Sequence, residues 1–286
     1  MFYEDVRLER ELNFVRKIGR LSEHDMHVHD ALEVSILLKN DAKYRLIGRD
    51  YHGKPGDVFV FRPFEPHYNL VQDTEKPVHW IMLLFSPSIV RSIPEGGKLL
   101  RPFYTAASRF SPLIPAHSPY AIAIHDAARQ AVLEEENRLP GWQAKQFQAF
   151  IDIVVHLYRY YLELDRDAHI DRSTDEGVLR VIEYVLSHFS EDIAIDRLVA
   201  MAQMRKTMFY TKFKEMTSLS PNEFISRLRL QSAVYLLDYS DKSVTDIAFE
   251  CGFHSLSYFN KQFKQFKGLS PREHRNRMKL AGPPGT

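Results

Sequence analysis

Cysteine is nearly missing from this chain. Cys251 stands alone among 286 residues, so no disulfide can form within it and burial must hold the fold together. No stretch approaches the roughly 18 apolar residues of a membrane-spanning helix, which excludes a helical membrane protein. No basic-then-apolar leader opens the chain (MFYEDVRLER), so the cytoplasm is the expected place of work. Net charge is lacking too, at +1 from 38 Lys+Arg and 37 Asp+Glu. That balance hides a division: residues 196–279 hold 15 basic and 8 acidic side chains, and the remainder holds 23 and 29. The basic end suits phosphate contact, while the acidic remainder argues against nucleic acid wrapping the whole molecule.

What is present in that basic end is a duplicated module. MFYTKFKEMTSLSPNEF (208–224) is matched by YFNKQFKQFKGLSPREH (258–274). Phe209, Phe213, Leu219, Ser220, Pro221 and Glu223 recur 50 positions later as Phe259, Phe263, Leu269, Ser270, Pro271 and Glu273. In each copy the serine suits a helix N-cap, proline fits the first helical position, and the glutamate three residues on can return a bond to the cap. Ahead of each cap runs a helix whose aromatics fall at helical spacing. Its other face carries Lys206, Lys212 and Lys214, or Lys261, Lys264 and Lys267. Before the second of these helices, Val244, Ile247, Ala248 and Cys251 mark a short helix that stops at Gly252, a residue suited to positive φ. Helix, glycine turn and basic helix make a helix-turn-helix, in which the second helix meets base edges. The first copy has Gln203 at its turn, where a left-handed conformation costs about 1–2 kcal/mol, so a differently shaped turn is expected there.

SVTDIAFECGFHSLSYFNKQFKQFKGLSPREHR (243–275) and RLRLQSAVYLL (227–237) resemble the DNA-binding domain of the AraC/XylS family of bacterial transcription regulators. The resemblance implies two helix-turn-helix units held by a linking helix, with recognition helices entering successive major-groove segments of double-stranded operator DNA. Residues 221–237 would span about 25 Å at about 1.5 Å per residue, of the order of one DNA turn of roughly 34 Å. By position it places Thr207, Tyr210 and Thr211 of the first unit, and Leu256, Ser257, Asn260 and Lys261 of the second, toward the bases, and Lys206 on the basic face joins them at the DNA. Lys264 is expected on a phosphate. Asn260 suits adenine and Lys261 suits guanine, whereas Leu256 has packing as its alternative role.

The front of the chain has another texture. Short apolar runs, VSILL (34–38), YRLI (44–47), DVFVF (57–61) and HWIMLLF (79–85), alternate with Gly and Pro clusters, which predicts an all-β barrel or sandwich. Within it His27, His29 and Glu33 are followed by His67. Alternate residues on a strand share a face, so His27 and His29 can converge, and a barrel can bring Glu33 and His67 to them. This constellation resembles the metal motif of the cupin fold, and residues 22–87 look like the effector-binding arm of AraC-type regulators. Three readings stay open: a site for Fe, Mn, Ni or Zn, a polar pocket for a small molecule such as a sugar, and a structural histidine cluster.

The expected whole is a multidomain α+β chain. A cupin-like barrel (1–118) precedes a helical segment (119–164) with a stripe of Phe147, Phe150, Ile151, Val154, Leu157, Tyr158 and Tyr161. A polar linker (165–174) leads to the all-α tandem helix-turn-helix domain (175–286). The stripe can cover the barrel, and the family resemblance favours a homodimer through these helices. The expected function is a ligand-responsive transcription regulator, an activator working with RNA polymerase and sensing a small polar metabolite such as a sugar. The rivals are a regulator whose barrel serves only protein contacts, and a metal-dependent cupin enzyme with a DNA-binding appendage.

Overall fold

A computed structural model describes residues 2–3, 8, 11–19, 27–29, 31–46, 49–63, 65, 67–71, 76–105, 111–167 and 173–281. The N-terminal strands are β1 (Phe2–Tyr3), β2 (Leu12–Gly19), β3 (His27–Val28), β4 (Leu32–Lys39), β5 (Ala42–Leu46), β6 (Arg49–Gly53), β7 (Val58–Phe61), β8 (His67–Val71), β9 (Val78–Phe85) and β10 (Leu113–Ile114). They form two five-stranded sheets, ordered β1-β3-β8-β5-β6 and β10-β7-β4-β9-β2. The four predicted runs coincide with β4, β5, β7 and β9, with Asp57 just ahead of its strand and Ile47 outside the described residues.

The strands differ in pattern because they differ in cover. In β4, Leu32 to Leu37 are all buried, so both faces are covered and the sequence runs apolar without alternation. β5 alternates buried and half-buried residues, leaving one face toward solvent. β2 pairs only with β9, and its exposed Arg16, Lys17 and Ile18 lie on an edge strand where charge discourages further pairing. Between the sheets, Leu37, Ala42, Tyr44, Leu46, Phe59, Phe61, Val78 and Trp80 make a barrel core.

After β9 come a 3-10 turn (Pro87–Ser92) and two short helices, α1 (Gly96–Leu99) and α2 (Arg101–Tyr104). Helices α3 (Pro119–Asn137) and α4 (Trp142–Asp167) follow β10 and fill the helical segment predicted over 119–164. The stripe on α4 turns inward: Phe150, Val154 and Leu157 are at most 1% exposed and Tyr161 is 4% exposed. It therefore covers the chain's own core, the role its apolar spacing allowed, and leaves little of this stripe for the dimer contact that the family resemblance favoured. The polar segment 165–174 is also not wholly a linker. Residues 165–167 continue α4 and residues 173–174 begin α5 (Ser173–His188), with 168–172 outside the described residues.

The remaining helices are α6 (Ile195–Ala202), α7 (Lys206–Thr217), α8 (Pro221–Tyr239), α9 (Val244–Glu250), α10 (Leu256–Lys267) and α11 (Pro271–Ala281). One continuous core runs from Phe14 and Val34 of the barrel, through Phe150 and Val154 of α4, to Val181, Phe209, Phe213 and Leu228 of the first helix-turn-helix unit. The second unit has its own core around Ala233, Leu237, Ile247, Cys251, Phe259 and Phe263.

Candidate effector site and nucleic-acid interface

The nucleic-acid interface is built from local signals. Ser220 caps α8 in a complete capping box with Glu223, and at α11 Ser270 N donates to Glu273 Oε2 at 2.8 Å. The turn residues Gln203 and Gly252 are both left-handed, with φ of 55° and 88°, so the glutamine turn keeps the left-handed form of the glycine turn. Gly252 has a second reason to be glycine. A Cβ there would lie 2.5 Å from the Ser190 carbonyl oxygen. Arg229 of the linking helix α8 binds the same loop, donating to the Phe189 and Glu191 carbonyls at 2.6 and 2.7 Å. The two units are thereby fixed to each other at one loop.

Inward aromatics set which face each recognition helix shows. Phe209 and Phe213 of α7, and Phe259 and Phe263 of α10, are fully buried. The opposite faces expose Lys206, Thr207, Thr211, Ser257, Asn260, Lys261 and Lys264. Tyr210 is half-buried, with its ring edge on Phe209 at 5.8 Å between centroids. Leu256 is half-buried against the second unit's core, so packing is part of its work. Lys206 Nζ meets Asp196 at 3.0 Å in an exposed pair that contributes little and yields readily to a phosphate. The Thr211 hydroxyl donates to the Thr207 carbonyl at 3.1 Å, which leaves it a weak base reader. Sequence reasoning passed over Met208 and Tyr258, large side chains 42% and 53% exposed on the same two helices.

The barrel site forms where the two sheets face each other. Glu33 comes from β4 of one sheet, and His27 and His67 from paired positions on β3 and β8 of the other. His29 follows β3, one residue beyond the strand expected to carry it, yet the three imidazoles still gather. Their ring centroids lie 4.5–5.8 Å apart and their ligating nitrogens fall within 4.8 Å of one another. His29, Glu33 and His67 are all at most 3% exposed.

Second partners orient the rings. His29 Nδ1 donates to the Ala31 carbonyl at 3.0 Å, and His67 Nδ1 to the Glu65 carbonyl at 2.8 Å. Both Nε2 atoms therefore point at Glu33 Oε2, at 3.1 Å from His29 and 3.5 Å from His67. The second distance is at the limit of a hydrogen bond, so that contact acts mainly through charge. Burial alone would raise the Glu33 pKa, but the hydrogen bond from His29 and the nearby imidazoles of His29 and His67 hold it well below the usual carboxylate range. Burial likewise opposes charge on His67, yet Glu33 and the Glu65 carbonyl raise its pKa above the ordinary imidazole value. Beside this cluster Phe61 lies 4.6 Å from the His67 ring, and Ser35 Oγ lies 3.3 Å from the Tyr44 hydroxyl. Trp80 Nε1 is buried with no hydrogen-bond partner among the described residues. These neighbours were missed from sequence because a strand-facing aromatic looks the same whether it lines a site or fills a core.

A polar cluster between two sheets, joined to two basic helix-turn-helix units, defines a DNA-binding transcription regulator with a ligand-binding domain. Comparison with known proteins agrees: an AraC-like ligand binding domain matches residues 12–140 and a helix-turn-helix domain matches residues 198–277. The chain belongs to the AraC family of regulators. The HTH-type transcriptional activator RhaS of Escherichia coli (strain SMS-3-5 / SECEC) is 25% identical over 257 residues, covering 87% of this chain and 86% of RhaS. Among solved structures, ToxT from Vibrio cholerae O395 covers 94% of this chain and 99% of its own at 12% identity, with a TM-score of 0.46. The DNA-binding domain of AdpA in complex with a target DNA matches 38% of this chain and 98% of its own, at 29% identity and a TM-score of 0.37. RhaS is named a transcriptional activator and AdpA a global transcriptional factor, and no described helix is long and apolar enough to cross a membrane.

Proposed function

We propose that this regulator is an activator whose barrel senses a small polar metabolite, a sugar or sugar derivative, at His27, His29, Glu33 and His67. The observation that carries the reading is a buried carboxylate with converging imidazole nitrogens, a set that accepts from and donates to vicinal hydroxyls. The activator assignment is supported by the description of the RhaS relative. Lys206, Thr207, Tyr210, Thr211, Leu256, Ser257, Asn260, Lys261 and Lys264 are the DNA-facing set, and RNA polymerase is the further partner of an activator.

The same cluster fits a divalent metal. Both Nδ1 atoms are committed to carbonyls, so an ion that displaced the Nε2 protons would meet both Nε2 lone pairs beside Glu33, the arrangement that orients imidazole ligands. His27, His29 and His67 with Glu33 would hold the ion, and it would supply a Lewis-acid contact to oxygen atoms of the effector. A second reading, a barrel serving only protein contacts, is favoured by the interior fill of Tyr44, Phe59, Phe61 and Trp80. A thermal-shift screen of the full chain against aldoses, sugar acids and divalent metals separates these, with and without chelator. A shift of wild type lost in His67→Ala supports the effector site, since a ligand at 100 times its Kd adds about 2.7 kcal/mol. No shift with any compound would favour the protein-contact barrel.

For the homodimer, the surface on offer is the outer face of α3. Ile122 and Leu133 are 54% and 43% exposed, with exposed Asp126 and Arg129 between them. In an antiparallel pair about a twofold axis, Ile122 would face Leu133 of a second copy and Asp126 would face Arg129. Leu133→Glu should shift a dimer to monomer in sedimentation; an unchanged sedimentation coefficient would remove this face from the assembly.

A further inference from the structure

Effector sensing is useful only if the barrel can bias the DNA-binding half, and an unbroken line of hydrogen bonds connects the two. It starts at His67, whose Nδ1 donates to the Glu65 carbonyl at 2.8 Å. The Glu65 carboxylate accepts from the backbone and side chain of Arg62 at 3.1 and 3.4 Å, and Glu65 N donates to the Arg62 carbonyl at 3.2 Å. From the end of β7, Arg62 Nη1 reaches the Thr105 carbonyl at 3.0 Å. Thr105 closes α2, donating through its hydroxyl and its backbone N–H to the Arg101 carbonyl at 2.9 and 3.1 Å. Arg101 then crosses to α5 of the DNA-binding half. It clasps both Glu176 oxygens at 3.1 and 2.8 Å and donates through Nε to Glu183.

We propose that Arg62 and Arg101 are positioning residues that carry the state of the His27/His29/Glu33/His67 cluster to α5 and the first helix-turn-helix unit. The proposal rests on that cluster being the sensing site. Three features make the line suited to transmission. First, it is mostly dry, with side chains of Arg62, Glu65, Arg101 and Glu183 at 16%, 7%, 14% and 16% exposure and only Glu176 at 39%, so solvent screens it weakly along most of its length. Second, the guanidinium of Arg101 has a fixed fork and holds two carboxylates from separate turns of one helix, so it reports orientation as well as distance. Third, the surface it crosses is packed backbone to backbone: a Cβ on Gly97 of α1 would stand 3.0 Å from the Glu183 carbonyl oxygen. The Tyr104 ring also meets Phe224 of α8 edge-on at 5.7 Å. A joint packed this tightly does not deform smoothly, so a small displacement of His67 is passed on as a change between discrete arrangements. The line biases them only to the extent that an occupant of the cluster binds one better than the other.

Hydrogen–deuterium exchange on the full chain tests this without any ligand. Arg101→Met should raise exchange of the α5 amides by about tenfold, as expected when a docked element opens more often. Arg62→Met, a change inside the barrel, should raise the same amides in the same direction. The double variant should fall short of the product of the two single factors, since members of one network are not additive. Arg45→Met, which removes an exposed barrel pair with Asp50, should leave α5 as in wild type. Arg101→Lys keeps the charge without the fork, so it gives the same readout if the methionine variant fails to fold. An Arg62→Met effect confined to barrel amides, or factors that simply multiply, would overturn the relay. Coupled exchange with no response to sugars or metals would instead keep the relay and sink the sensing site.

Discussion

Lys261 and Lys264 stand three residues apart on α10, both exposed. Their proposed tasks differ, and so should the cost of losing each. Lys261→Ala should relax preference at one operator position, with about 1–3 kcal/mol of discrimination lost there. Lys264→Ala should weaken all sequences alike and reduce the salt slope by about one unit. Selection from a randomised operator library at two salt concentrations tells them apart, and equal sequence profiles for wild type and Lys261→Ala would remove that lysine from the readout. Cys251, the lone thiol, is packed against the second unit's core at 1% exposure, and burial pushes its pKa up to about 11. Its reactive thiolate therefore grows in only as pH rises toward that value. A disulfide reagent should modify it slowly in the native protein and at once in denaturant; fast native labelling would mean that α9 opens readily.

The two helix-turn-helix turns offer a controlled comparison at the level of elements. Gly252→Ala meets both the left-handed strain of about 1–2 kcal/mol and a backbone carbonyl at 2.5 Å, so it should destabilise by more than about 2 kcal/mol. Gln203→Gly removes strain at φ 55°, offset in part by the freer unfolded glycine, and should stabilise by a few tenths of a kcal/mol. Ser220→Ala opens the capping box at α8 and should cost about 1 kcal/mol. Urea midpoints at constant m-value check all three. These devices could be read in the sequence because each is local: a cap, its glutamate and a turn residue lie within a few positions of one another. Strands β2, β6 and β8 were not predicted. Arg16 and Lys17 on β2, or Arg49 and Asp50 on β6, break the apolar pattern, and such strands exist because a neighbouring strand supplies their hydrogen bonds.

At the scale of the whole molecule the cores do not follow the sequence domains. The barrel, α3 to α5 and the first helix-turn-helix unit share one core, whereas the second unit packs around its own. Native-state hydrogen exchange should therefore show α10 opening at lower free energy than β4, α4 or α7, with the latter three opening together. Separate opening of β4 and α7 would mean that the shared core is not cooperative. The sequence by itself determined the class of protein, because its tandem helical units, their caps and their basic faces are set by neighbours along the chain. It also named the His27, His29, Glu33 and His67 constellation, since the residue types and the spacing of the first three belong to chemistry. Only the tertiary structure decided that the α4 stripe is consumed internally and that Arg101 bridges to α5. Those facts depend on contacts between residues up to 82 positions apart, and no local pattern encodes which of many apolar or charged partners the folded chain will select.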